Sequence, residues 1–207
     1  MGAMNLRFDD VADDLRAAYR GGAGWRDSAP KTAWKVAERA AFLDRLRAAD
    51  ARTLVEIGAG TGHDALFFQD NGLAVVATDL TPEMVAACAA KGLDARVMNL
   101  LAPDLPPESF DAVYSLNCLL HVPDADLPAA LAAIGGLLRP GGLFFLGVYG
   151  GDGSAGVLAD DSHDPPRFFC WRTRDQLLDA VQPWFDVVDV HEVDTGGPPF
   201  HSLTLHR

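Results

Sequence analysis

From Thr53 onward the chain alternates short apolar runs with longer segments whose apolar positions return every three or four residues. The runs are 53–57 (TLVEI), 74–78 (AVVAT), 95–98 (ARVM), 112–115 (AVYS) and 142–149 (GLFFLGVY). Helical segments fall between them at about 62–71, 82–91 and 126–138. Pro82 behind Thr81 marks a helix start, and Arg139-Pro140-Gly141-Gly142 ends the helix before the fifth run. Strands without polar alternation, separated by helices, predict a parallel sheet covered on both faces. The rhythm then changes. A helix at 174–181 precedes two runs, 185–193 and 200–205, joined through Gly196-Gly197-Pro198-Pro199, which reads as an antiparallel hairpin. Ahead of all this, residues 5–50 read as two helices. The first covers Phe8–Tyr19 and breaks at Gly21-Gly22-Ala23-Gly24. The second starts near Pro30 with Ser28 as its cap, and Val36, Ala40, Leu43 and the stem of Arg47 form its stripe.

Composition narrows this picture. A chain of 207 residues, 49% hydrophobic, can bury its own core as one domain. No run reaches the ~18 continuous apolar residues of a membrane helix. The start, Met1-Gly2-Ala3-Met4 and a charged amphipathic stretch, is not a signal peptide, so a soluble cytoplasmic protein with no membrane role is expected. Cys88, Cys118 and Cys170 are widely spaced and form no CxxC pair, which argues against zinc clusters and a disulfide framework and for free thiols. The formal net charge of −12 argues against nucleic-acid partners and for a small substrate, neutral or cationic rather than polyanionic.

The chemistry concentrates at "VEIGAGTGHDA" (55–65), directly after the first strand. A loop there lies at the carboxyl edge of the sheet, where ligands bind, and its glycines allow close backbone approach. The dinucleotide fingerprint needs a third glycine where His63 stands, and no Lys-Ser or Lys-Thr follows to make a phosphate loop. The spacing is instead Gly58-x-Gly60-x-Gly62, with Glu56 two residues earlier. Asp79 closes the second strand, placed to accept hydrogen bonds from the two hydroxyls of a ribose.

Five motifs in order then resemble one family, the class I S-adenosylmethionine-dependent methyltransferases. They are Glu56-x-Gly58-x-Gly60-x-Gly62; Asp79-Leu80-Thr81-Pro82-Glu83-Met84; Phe110-Asp111-Ala112-Val113; Leu120-His121-Val122; and Leu138-Arg139-Pro140-Gly141-Gly142. The resemblance is close over about 53–150. It implies a doubly wound, Rossmann-like α/β sheet of seven strands, mostly parallel with an antiparallel C-terminal hairpin strand. It implies S-adenosylmethionine as cofactor, its methionine part wrapped by Glu56, Gly58, Ala59, Gly60 and Gly62. Asp79 then holds the ribose, Leu80 and Met84 flank the adenine, and Asn99 and Leu100 meet its edge. Asn99 departs from an aspartate common at that position, although an amide oxygen also accepts from an amino group. Asn117 and Cys118 match the loop beneath the sulfonium.

Beyond the cofactor, His121 follows the fourth strand and reads either as a general base or as part of the cofactor loop. In this family the N-terminal helices frequently cover the site, so 1–50 is expected as a helical cap over a methyltransferase domain at 51–207. Tyr19 is then expected to reach the cofactor's carboxylate, with Trp25 as a wall. An insertion at 150–172 follows the fifth strand, and Tyr149, Arg167, Phe168 and Trp171 make it a candidate substrate lid, unless its aromatics only pack it onto the core. Within it "DDSHD" (160–164) reads as a solvated acidic loop rather than a metal site, with Arg167 and Arg172 as surface partners. The expectation is methyl transfer to a small-molecule acceptor; the alternative is a non-catalytic binder of S-adenosylmethionine or its product. Oligomeric state is not legible.

Overall fold

The structure is a computed structural model and describes residues 6–28 and 30–207. The reading of Met1–Met4 lies outside them. In chain order the elements are α1 (Phe8–Arg20), α2 (Ala23–Ser28), α3 (Ala33–Ala48), β1 (Thr53–Ile57), α4 (His63–Asp70), β2 (Ala74–Asp79), α5 (Pro82–Ala90), β3 (Asp94–Val97), β4 (Phe110–Leu116), a 3-10 turn at Leu119–His121, α6 (Leu127–Leu137), β5 (Leu138–Tyr149), β6 (Ser154–Val157), β7 (Phe168–Trp171), α7 (Arg174–Val181), β8 (Asp186–Val193) and β9 (Phe200–His206). Seven strands form one sheet in the order β3-β2-β1-β4-β5-β9-β8, and β6 with β7 forms a separate antiparallel pair. β1 to β5 are parallel; β9 runs antiparallel to both β5 and β8.

The strands lack polar alternation because both faces of the sheet are covered. Adjacent residues of one strand enter different cores. Val55, Val113 and Phe144 join Leu15, Leu131 and Val181 on the α1, α6 and α7 side. Leu54, Tyr114 and Phe145 join Phe42 and Phe68 on the α3 and α4 side. The ring of Tyr114 stacks on Phe145 with centroids 4.7 Å apart.

Four local expectations need correction. The glycine-rich break after α1 contains a short helix, α2, held from its start by the Arg26 N–H donating to the Gly22 carbonyl. The next helix begins at Ala33 behind Thr32, not at Pro30 behind Ser28. Its buried face is Phe42, Leu43 and Leu46, whereas Val36 is 40% exposed. β5 is longer than its apolar run. It starts at Leu138, opposite Phe110, and the pairing resumes at Leu143 opposite Ala112 after the irregular 139–142 segment. Within the 150–172 insertion β6 and β7 form an antiparallel pair.

Asp111 ties the bottom of this sheet together. Its Oδ2 accepts from the N–H groups of Arg52 (2.8 Å) and Thr53 (2.9 Å) and from the Thr53 hydroxyl (2.9 Å), while Arg139 pairs with Oδ1. Partial burial opposes the charge, but these donors outweigh it and hold the carboxyl down to about 2. A depressed carboxyl contributes stability that is present above its unfolded value and is lost as pH falls through the folded one. Asp111→Ala is therefore expected to cost ~2 kcal/mol at pH 7 and to flatten the acid decline between about pH 4 and 2. Urea unfolding across that range reads both effects, and a cost below about 0.5 kcal/mol, the usual size of a surface change, rules the tie out.

The two edges of the sheet are β3 and β8. β3 carries Asp94 and Arg96, and β8 carries Asp186, Asp189 and Glu192, with a register irregularity between Val187 and Asp189.

Candidate active site

A cavity of about 570 Å³ opens at the carboxyl ends of β1, β2, β4 and β5. That volume falls within the roughly 300–1,000 Å³ of sites that enclose a drug-sized ligand. Its floor is the loop after β1. Gly58 and Gly62 have left-handed φ values of +74° and +82°. A Cβ at Gly58 would stand 2.6 Å from the Cys118 sulfur, and one at Gly62 2.7 Å from Leu93 and 2.8 Å from the Cys88 sulfur. Those two glycines let the loop pass against protein neighbours. Gly60 differs, because a Cβ there meets nothing within 4 Å and would project into open space.

Asp79 organises the same loop. Its Oδ2 accepts from the Gly60 N–H and its Oδ1 from the Thr81 N–H, each at 2.9 Å. Burial raises its carboxyl in spite of those two donors. Glu56 is 3% exposed, and its Oε2 has no hydrogen-bond partner among the described residues. Burial, reinforced by the neighbouring Asp64, pushes this carboxyl well above the usual range. Asp64 itself is held by Lys31 and, at 3.1 Å, by Arg39. Leu80, Met84, Met98 and Leu100 give the β2–β3 side of the cavity an apolar wall. At the end of β4, Asn117 adopts φ +56° and its side-chain oxygen accepts from the Tyr149 N–H at 3.2 Å, joining β4 to β5. The Cys118 thiol beside it is pushed up to about 12 by burial, so it is not a nucleophile at neutral pH.

The mouth is crossed by a polar chain from three separate parts of the sequence. His121 Nδ1 donates to the Phe168 carbonyl at 2.7 Å, which leaves Nε2 as an acceptor for the Tyr19 hydroxyl, also at 2.7 Å. Arg167 donates to the Tyr19 oxygen at 3.0 Å and grips both oxygens of Asp161 at 2.7 and 2.8 Å. His163 Nδ1 donates to Asp161 at 3.0 Å, and Arg26 donates to His163 Nε2 at 3.1 Å. The Arg167 hydrogen bonds hold the Asp161 carboxyl well below the usual range. Its side chain is only 2% exposed, which corrects the picture of a solvated acidic loop. Arg172 is likewise no surface partner; it is buried, paired with Asp124 and donating to the carbonyls of Leu119 and Val122.

Most of the residues singled out in the sequence meet in this cavity. Tyr19, Trp25, Glu56, Gly58, Ala59, Gly60, Asp79, Leu80, Met84, Leu100, Asn117, Cys118, His121, Tyr149, Arg167 and Trp171 all line it. Gly62, Asn99 and Phe168 do not. Gly62 faces Leu93 and Cys88, Asn99 turns its oxygen to the Leu101 N–H at 3.0 Å, and Phe168 has a buried side chain while its carbonyl accepts from His121. Lys31, Lys35, Asp64 and Met98 line the cavity without having been anticipated. A signal was available, since the chain has only three lysines, and two of them stand four residues apart just ahead of the first strand.

A doubly wound sheet with a glycine loop, an acid closing its second strand and an apolar slot is the arrangement of nucleotide-binding α/β domains. Residues 55–146 match the family model described as a methyltransferase domain. The chain is 38% identical over 124 residues to the ubiquinone biosynthesis O-methyltransferase of Xanthomonas oryzae pv. oryzae, covering 56% of this chain and 50% of that one. It thus spans about half the length of the curated relatives it matches. Among solved structures, the Burkholderia thailandensis 1,6-didemethyltoxoflavin-N1-methyltransferase, with bound 1,6-didemethyltoxoflavin and S-adenosylhomocysteine, superposes with a TM-score of 0.75 at 24% identity, covering 100% of this chain and 93% of that one. The DhpI–SAH complex superposes with a TM-score of 0.68 at 26% identity, covering 94% and 96%. The likeness is thus to a methyltransferase domain over residues 55–146 and, at the level of the fold, to methyltransferases of known structure over nearly the whole chain.

The cavity fits S-adenosylmethionine. The orphaned, buried oxygen of Glu56 is an acceptor placed for an ammonium group, the space over Gly60 admits a ligand against the backbone, and the Leu80–Met84–Met98 wall suits a flat base. Among the described residues no helix is long and apolar enough to cross a membrane.

Proposed function

We propose that the chain transfers a methyl group from S-adenosylmethionine to a small-molecule acceptor. One observation carries this reading. The cavity lined by the glycine loop and Asp79 is lined also by Tyr149, Phe169 and Trp171, on β5 and β7. A protein that only binds the nucleoside needs no such further aromatic lining. The net charge of −12 supports a small acceptor over a nucleic acid. Three free cysteines fit the reducing cytoplasm.

S-Adenosylmethionine supplies a methyl group already activated by its sulfonium. What falls to the protein is alignment and exclusion of water, which together account for roughly 7–11 kcal/mol of barrier reduction in well-oriented reactions. Glu56, Gly60 and Asp79 hold the donor end. The α1–α2 segment acts as a cap, with Tyr19 and Arg26 meeting the 150–172 lid through Arg167 and His163. His121 serves this arrangement as a positioning residue rather than as a free base. Its Nε2 lone pair is occupied by Tyr19, and burial lowers its pKa to about 4. A proton leaving an acceptor reaches Nε2 only through the Tyr19 hydroxyl or by displacing it.

The test is thermal unfolding with S-adenosylhomocysteine, using a nicotinamide dinucleotide as control. At about 100 times its dissociation constant the adenosyl ligand is expected to add ~2.7 kcal/mol, while the dinucleotide adds nothing. No shift with S-adenosylhomocysteine, or an equal shift with both, overturns the reading.

A further inference from the structure

The residues proposed to bind the donor leave one cavity cation, Lys35, without an ion pair among the described residues. Lys35 lines the cavity from α3, with its ammonium 5.2 Å from the Trp34 ring centroid and 5.9 Å from that of Tyr149. Lys31 and Lys91, the other two lysines, are paired with Asp64 and Asp27. Lys35 has no ion pair among the described residues. The charged groups that face it are Lys31, Asp64 and Arg26. Two of these repel it, and Asp64 is already shared between Lys31 and Arg39. Burial lowers its pKa, the Lys31 charge adds to the effect, and burial also raises the Tyr149 phenol, whose hydroxyl makes no hydrogen bond among the described residues. An ammonium partly withdrawn from water and without an ion pair among the described residues is ready to receive an anionic ligand group.

The place decides which ligand that is. Glu56, Gly60 and Asp79 belong to β1 and β2, whereas Tyr149 ends β5, and β4 lies between β1 and β5 in the sheet. Lys35, close to the Tyr149 ring, therefore stands towards the β5 side of the cavity. Two flat rings line the same cavity. Phe169 and Trp171 stack with centroids 4.9 Å apart and planes 13° from parallel.

We propose that Lys35 and the Tyr149 hydroxyl form the anion-holding end of the acceptor subsite, so that the acceptor is a planar acid, an aromatic ring bearing one carboxylate or comparable single anion. This rests on the methyltransferase reading. A single anion held at one point is compatible with a chain of strong negative charge, whose field disfavours polyanions but is overcome locally by a fixed cation.

The test uses the whole chain saturated with S-adenosylhomocysteine, titrated calorimetrically with 4-hydroxybenzoate and indole-3-acetate and with the amide of each. The acids are expected to bind at least about tenfold tighter than their amides, as a charge-assisted contact provides. Lys35→Met is expected to abolish that preference, leaving the amides and S-adenosylhomocysteine bound as before, and Lys35→Arg to restore part of it. The proposal is overturned if the acids show no advantage over the amides, or if none of the four binds. It is overturned also if Lys35→Met weakens S-adenosylhomocysteine instead, which would give the lysine to the cofactor. Failure of S-adenosylhomocysteine to bind the unaltered chain sinks the methyltransferase reading itself, and that outcome is seen before any acid is added.

Discussion

Replacing Asp79 with alanine is expected to weaken S-adenosylhomocysteine binding by about two orders of magnitude, or ~3 kcal/mol. Two losses combine. In the proposed reading the carboxylate accepts from the ribose, and the same two oxygens hold the N–H groups of Gly60 and Thr81 at 2.9 Å. Without them the loop loses the anchor that keeps Gly60 against the cavity, so both the direct contact and the prepared backbone disappear. Asp79→Asn keeps one acceptor oxygen and gives up the charge, and should fall between alanine and the natural residue. Calorimetric titration of the three proteins reads this directly. A change below about threefold in the alanine variant, under 1 kcal/mol, would show that Asp79 is only a turn residue.

Acid is expected to weaken the fold well above the range of ordinary carboxylates, because of His121. The ring is 7% exposed and burial lowers its pKa to about 4 from an unfolded 6.5. The folded chain thus refuses a proton that the unfolded chain accepts. The stability from keeping the ring neutral is fully present above the unfolded value and is lost as pH falls from 6.5 towards 4. The full loss is ~3 kcal/mol. His163 and His201, also lowered by burial, act in the same direction. His191 acts oppositely. Although partial burial lowers it, its contacts with Glu38 and Asp189 win and raise it, so its contribution is lost as pH rises. Comparing urea unfolding of the natural chain and a His121→Gln variant isolates the ring. The variant should be less stable at pH 7 and should lose less on going to pH 4. Parallel curves for the two proteins would remove His121 as the cause.

What was legible in the chain, and what was not, follows from the range of the interactions involved. Strand β1 was readable to the residue and α7 likewise, because each is bounded by local chemistry: turn residues around one and the Thr173 cap on the other. The Asp79 position was readable because loop and strand follow each other directly. The polar chain at the mouth was not readable. Arg167 and Tyr19 are 148 positions apart, and nothing near either marks them as neighbours. Asp161 looked like a solvated acid for the same reason, since its burial depends on residues from another part of the fold. β6 was missed because its exposed Ser154-Ala155-Gly156-Val157 has no alternation to announce a strand. α2 was missed because glycine normally weakens a helix, and here packing against α5 outweighs that tendency.

The two edge strands have a consequence for how this protein behaves in a crowded solution. An open sheet ends in rows of unpaired backbone groups, which invite another chain to add a strand. Here β8 presents Asp186, Asp189 and Glu192, with a break in register partway along, and β3 presents Asp94 and Arg96. Two copies meeting along β8 would force carboxylates together and would meet a kinked edge rather than a flat one. The sheet is thereby protected from growing by strand addition, and the acidity that keeps polyanions away also keeps like edges apart.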